Sequence, residues 1–213
     1  MAMQEHRSVS LADCVFEKLE NDILSGKYPY GEVLTEARLS EELAVSRTPV
    51  REAIRRLEQE HILVDAGKGM RVQGITQEDI ADILDVRLRI EGMAARRAAT
   101  RITPEQLKKL EEAVELQEFY VSRADAEHVQ YQDNAFHELI YAACGSITLQ
   151  STLIPLHRKA QKYRRASVEK KARAVDSLNE HKAVFAAIAA HDADAAEQTM
   201  IRHIENAKKS MLG

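Results

Sequence analysis

A chain of 213 residues, 45% hydrophobic and with a net charge of -4, can bury one sizeable core or two small ones, and length alone does not choose between them. No apolar run approaches the roughly 20 residues of a bilayer-spanning helix, and the N-terminal MAMQEHRSVS lacks the charged-then-apolar order of a secretory signal. A cytoplasmic protein with no membrane partner is expected. Cys14 and Cys144 lie far apart without CxxC spacing, which argues against a disulfide framework or a thiolate metal site and predicts two buried free thiols.

Residues 10–25 place Leu11, Val15, Leu19, Ile23 and Leu24 at helical spacing, and Gly26, Pro29 and Gly31 end that helix in a turn. Thr35 then caps a short segment, EARLSEELAV, with Leu39 and Leu43 four apart. Ser46 caps the next, RTPVREAIRRLEQE, with Pro49 in its first turn. The β-prone runs ILVD and MRVQG, joined by a glycine turn, predict a hairpin or wing. Three helices and a wing make a winged helix-turn-helix over residues 1–74. From residue 75 to 213 the texture is helical throughout, with helices expected at 77–99, 104–122, 126–143, 147–169, 172–190 and 193–210. The fold class is mainly α, the second domain being a helical bundle. Its alanine-rich stretches, AARRAAT and VFAAIAAHDADAA, fit either close helix packing or simple helix propensity.

Bulk charge does not announce a nucleic-acid binder: residues 1–74 carry ten Lys plus Arg against thirteen Asp plus Glu. Placement matters more than the total, because affinity comes from cations near phosphates. Arg47, Arg51, Arg55 and Arg56 crowd one predicted helix, and Lys68 and Arg71 fall in the wing. A helix entering the major groove presents its N-terminal residues to base edges, here Ser46, Arg47, Thr48 and Arg51. Arg47 and Arg51 are four apart and share a face, and each guanidinium can grip a guanine bidentately. The competing interpretation is a solvated basic face paired with Glu52 and Glu58.

The stretch LTEARLSEELAVSRTPVREAIRRLEQEHILVDAGKGMRV resembles the DNA-binding domain of the GntR superfamily, most recognisably at SRTPVREA, and the resemblance covers residues 10–73. It implies that Arg47 and Arg51 read an operator, that Ser46 and Thr48 hold phosphates, and that Gly67 approaches the minor groove. Arg38 and Lys68 complete the implied contact set. Where the family often has arginine directly after the glutamate matched by Glu36, this chain has Ala37 and carries Arg38 one place later; Ala66 stands where some members have histidine. The operator sequence stays open.

In the second domain, Asp133 and His137 are i, i+4 on one predicted helix and can share a metal, with His181 and His203 on two later helices. Three imidazoles and a carboxylate suit a divalent Zn, Ni or Mn ion. With eight histidines in the chain, ordinary hydrogen-bonded histidines are the competing interpretation. Residues 85–99, 133–137 and 180–204 resemble the ligand-binding FCD domain of the FadR branch, in its shorter VanR-like form. The resemblance implies that Asp133, His137, His181 and His203 hold the metal, and that Arg87 binds a small carboxylate effector. From the residues alone, Arg87 could equally pair with Asp85 or Glu91. Arg158 and Arg164 are weaker pocket candidates, and His6, His61, His128, His157 and His191 receive no role.

Together these features predict a non-enzymatic, homodimeric transcription regulator, a repressor, that binds a pseudo-palindromic double-stranded operator and responds to a carboxylate at a metal site. Two alternatives are a regulator whose signal is the metal itself and a helical metalloenzyme with a DNA-binding domain, in which the same ligands would activate water.

Overall fold

The computed structural model describes residues 10–166 and 171–213, with side chains for all of these except 164–166, 171 and 172. These residues fall into two compact units that divide between Thr76 and Gln77. Among them no helix is long and apolar enough to cross a membrane.

The first unit contains α1 (Leu11–Leu24), β1 (Val33–Leu34), α2 (Glu36–Glu42), α3 (Arg47–Gln59), β2 (Leu63–Asp65) and β3 (Met70–Val72). Helix α1 begins at a capping box, in which Ser10 Oγ accepts from the Asp13 N–H at 3.1 Å and Asp13 accepts from the Ser10 N–H at 3.2 Å. Thr35 caps α2 as expected, its Oγ1 accepting from the Arg38 N–H at 3.3 Å. Ser46 does stand at the N-cap of α3, but its side chain makes no capping hydrogen bond, so its hydroxyl is left exposed. The expected hairpin is β2 with β3, in antiparallel register Leu63↔Val72 and Asp65↔Met70. A third strand, β1, adds to the other edge of β3 through Val33↔Arg71, giving the order β1-β3-β2. Two residues are too few to show alternation, so β1 left no sequence signal. Leu19, Leu34, Leu39, Val50, Ala53, Leu57, Ile62 and Leu63 form the fully buried centre of this unit. Cys14, expected to be buried, is exposed, because it lies about 100° round α1 from the buried Val15.

The second unit is six helices: α4 (Gln77–Arg101), α5 (Pro104–Ser122), α6 (Ala126–Ala143), α7 (Ile147–Ala166), α8 (Lys171–Ala189) and α9 (Ala193–Leu212). The expected end of α7 at residue 169 lies outside the described residues. Helices α4 and α9 pack closely because α4 turns Gly92, Ala95, Ala98 and Ala99 inward. A Cβ at Gly92 would stand 2.9 Å from Ile201 Cγ1, so this glycine leaves the space in which the Ile201 side chain seats against α4. Phe136, Ile140, Val184, Ile188, Met200 and Ile204 complete the apolar interior. Interleaved with these apolar residues, near the middle of the helices, lies a group of buried polar side chains that holds the site.

Candidate functional site

In the first unit the residues expected to meet DNA are all exposed: Ser46, Arg47 and Thr48 at the start of α3, Arg51 one turn on, and Gly67 with Lys68 between β2 and β3. Arg47 and Lys68 make no ion pair among the described residues. Arg51 does, and its partner is Glu36 at the start of α2 rather than Glu52 or Glu58: Nε and a terminal nitrogen each donate to one carboxylate oxygen at 2.8 Å. That fork holds the Glu36 carboxyl below the usual range. Arg38 is committed on two sides, to Glu32 at 2.6 Å and Glu42 at 2.7 Å. The tip of the β2–β3 turn depends on Gly67, whose φ of +79° is accessible to glycine at little cost, and Asp65 Oδ1 accepts from its N–H at 2.7 Å.

In the second unit, His137 on α6, His181 on α8 and His203 on α9 converge, one potential ligand atom of each lying within 4.8 Å of the others. All three are buried. Each imidazole has its Nδ1 engaged by an acceptor from another helix: His137 by Glu91 at 2.8 Å, His181 by Gln117 at 2.7 Å, and His203 by Glu180 at 2.7 Å. A histidine whose Nδ1–H donates outward keeps the Nε2 lone pair for a metal, the arrangement usual at metal sites. His137 Nε2 has no hydrogen-bond partner among the described residues, which is costly for a buried polar atom and is relieved by coordination. The donor set therefore fits a divalent cation. Asp133 stands at the edge of the cluster: Oδ1 lies 3.8 Å from His181 Nε2, and Oδ2 accepts from Gln161 Nε2.

Burial disfavours the imidazolium of His203 and lowers its pKa, although Glu180 opposes the shift. Burial also pushes Glu180 up, but hydrogen bonds from His203 and Arg173 outweigh it and hold the carboxyl at about 2. Arg173 grips Glu180 with two bonds of 2.8 Å, and Asn206 adds a third at 2.9 Å.

Arg87 is buried and paired with Glu91 at 3.0 and 3.2 Å, and a terminal nitrogen lies 3.0 Å from His157 Nδ1. Of the two possibilities the sequence left open, the ion pair with Glu91 is formed, while Asp85 pairs with Lys208. Tyr141 also donates to Glu91. Desolvation would raise the Glu91 carboxyl, but the Arg87 charge and His137 hold it well below its usual value. Glu91, His137 and His157 form a second group of possible ligand atoms. The fixed Arg87 cation against two of its members disfavours a metal there.

His157 was assigned no role, yet it is fully buried, with Nε2 2.9 Å from Asn134 Oδ1 and 3.6 Å from Asp133 Oδ2. Gln117, Gln161 and Glu180 were also missed, and Glu91 was foreseen only as a partner for Arg87. Only Arg87 and Glu91 left a signal, their i, i+4 spacing; the others meet across helices. Arg158 pairs with Glu138 at 2.8 Å. The side chain of Arg164, and all of His6, lie outside the described residues.

Residues 11–72 match the family of bacterial regulatory proteins called gntR, and residues 82–206 match the FCD domain. The chain is similar to the gluconate operon transcriptional repressor of Bacillus licheniformis, 34% identical over 58% of this chain and 51% of that protein, so that alignment spans about half of the relative's length. It is also similar to the HTH-type transcriptional repressor RspR of Escherichia coli (strain K12), 27% identical over 92% of this chain and 87% of that protein. Among solved structures it shares the fold of E. coli McbR/YncC, with a TM-score of 0.76 at 23% identity over 96% of this chain and 98% of that one. These relatives are regulators rather than enzymes. With more than half of its length matched by the FCD family and a gntR match ahead of it, the chain belongs to the GntR family of bacterial regulatory proteins, in the branch that carries an FCD domain.

Proposed function

We propose that the protein is a cytoplasmic transcription repressor whose first unit binds an operator and whose second unit, from about residue 75, controls that binding through a metal-bound effector. The observation that carries this reading is the set of three imidazoles held by three outward acceptors: such a cluster in a bundle is built for a cation. Asp133, His137, His181 and His203 are the metal ligands in this reading, with Zn, Ni or Mn as the ion. Four protein ligands leave open positions on an octahedral ion, and a small carboxylate fits them. Arg87 would meet the effector carboxylate only by giving up part of its fork to Glu91.

On DNA, Arg47 is available without exchange of partners, whereas Arg51 must trade Glu36 for a guanine or a phosphate and Arg38 must leave Glu32 or Glu42. In this reading Ser46 and Thr48, at the start of α3, hold phosphates, and Gly67 and Lys68 meet the adjacent groove. The protein acts as a homodimer whose two recognition helices meet the halves of a pseudo-palindrome. Effector binding shifts the dimer between arrangements, and linkage requires operator and effector to change each other's affinity by the same factor.

The test is operator selection from random duplex DNA with purified protein, followed by fluorescence anisotropy on the selected sequence with zinc, after chelation, and with added carboxylates. A palindromic operator whose affinity falls with a carboxylate only in the zinc-loaded protein is expected. Affinity that tracks zinc without any carboxylate would make the metal the signal, and failure to select a sequence would overturn the repressor assignment.

A further inference from the structure

The three acceptors that hold the imidazoles differ in their surroundings. Glu91 and Gln117 are 0% exposed, whereas the Glu180 side chain is 15% exposed and lines an open cleft of about 690 Å³ between α8 and α9. A carboxylate that reaches water can turn toward it, and holding a long side chain in one rotamer costs entropy. Glu180 therefore needs partners of its own if it is to keep the His203 ring in place.

Those partners come from both walls of the cleft. Arg173 stands seven residues before Glu180, two turns along α8 and on the same face. Its two terminal nitrogens donate to Oε1 and Oε2, each at 2.8 Å, a fork that fixes the plane of the carboxylate as well as its position. Asn206, one turn beyond His203 on α9, donates to Oε1 at 2.9 Å. Oε2, gripped by Arg173, is also the oxygen 2.7 Å from His203 Nδ1. With Nδ1–H donating there, the Nε2 lone pair of His203 is aimed at the cluster.

We propose that Arg173 is a positioning residue for the metal: by fixing the Glu180 carboxylate it fixes the ring of His203, although it touches none of the candidate ligands. This rests on the metal reading above and extends it to the outer wall of the bundle. Arg87 grips Glu91 in a similar fork, but that pair is buried, and removing one member strands the other. Glu180 borders the cleft, so Arg173 can be replaced without leaving a charge cut off from water. The sign of the effect separates two roles. As a charge alone, Arg173 repels a dication and its removal would tighten zinc binding; as a positioning residue, its removal weakens it.

The experiment is a double-mutant cycle on the full-length protein, with zinc affinity read by competition against a chromophoric chelator. Arg173→Gln is expected to raise the zinc Kd by about 10–100-fold, the usual cost of losing an outer partner of a metal-binding histidine. In a Glu180→Gln background the same substitution should add little, because its path to the metal is already broken. The Nδ1–H resonance of His203 in the zinc-loaded protein supplies a second readout, protected from exchange in the wild type and exchanging freely in Arg173→Gln. If Arg173→Gln does not fold, Arg173→Lys, which keeps the charge and loses the fork, carries the same cycle. A zinc Kd that is unchanged or lower in the Arg173 variant overturns the proposal, as does a loss of equal size with Glu180 already replaced. If the wild type binds no zinc, the metal reading itself falls and takes this inference with it.

Discussion

The two units place their functional charges in opposite environments. On the first, Arg51–Glu36 and Arg38–Glu32 are exposed pairs, screened by solvent and cheap to exchange for a phosphate or a base. In the second, Arg87–Glu91 has side-chain exposures of 2% and 0%, so either partner left alone is an uncompensated charge in a medium that solvates it poorly. Exchangeable pairs suit the operator contact proposed above, while a fixed network suits imidazoles held in one geometry.

Four measurements would break or sharpen that contrast. The largest effect is expected from Glu91→Ala, which strands Arg87 and should cost about 3–5 kcal/mol in urea unfolding, whereas Glu36→Ala should stay within about 1 kcal/mol. Equal costs would remove the distinction. Next is metal: zinc at about a thousand times its Kd should stabilise the protein by about 4 kcal/mol, an increment absent after chelation and in His181→Ala. Unchanged unfolding on chelation would mean that the histidine cluster is a hydrogen-bonded core and nothing more. Arg47→Ala should weaken binding to the selected operator by about 1–3 kcal/mol at constant salt while leaving the unfolding midpoint in place. An affinity equal to wild type would remove Arg47 from the interface.

The smallest effect concerns acid. Burial raises the Asp22 carboxyl, but Lys18 and Lys27 outweigh it and leave its pKa lowered. A group depressed on folding contributes stability above its unfolded pKa of about 3.9, and loses it as pH falls through the folded value. Asp22→Asn should therefore narrow the difference in unfolding free energy between pH 6 and pH 3, by at most about 1 kcal/mol because both lysines are half exposed. A difference identical to wild type would show that the pair adds nothing.

Sequence spacing made the first unit legible because its functional residues are contiguous. Ser46, Arg47, Thr48 and Arg51 sit within six positions, and helical periodicity alone puts them at one helix start. Glu36 was seen only as a family match, since its bond to Arg51 spans fifteen positions and depends on the angle between α2 and α3. In the second unit, Asp133 with His137 shows the i, i+4 pattern, but no local spacing ties His181 and His203 to that pair, and the family resemblance is what singled out the four together. His157 lies just before Arg158 with no local pattern to distinguish it, and Gln117 looks like any surface glutamine of α5.

What the sequence determined by itself was local: which segments are helical, where caps and turns end them, and which cations crowd one helix start. These follow from backbone sterics, side-chain periodicity and short-range hydrogen bonds, all of which act within a few residues. Only the tertiary structure decided that Arg87 is spent on Glu91, that Gln117, Glu180 and Glu91 each hold one imidazole, and that Arg173 grips one of those acceptors. Those outcomes depend on the packing of six helices, where a small rotation about a helix axis exchanges a buried partner for solvent, and no short window of sequence records that rotation.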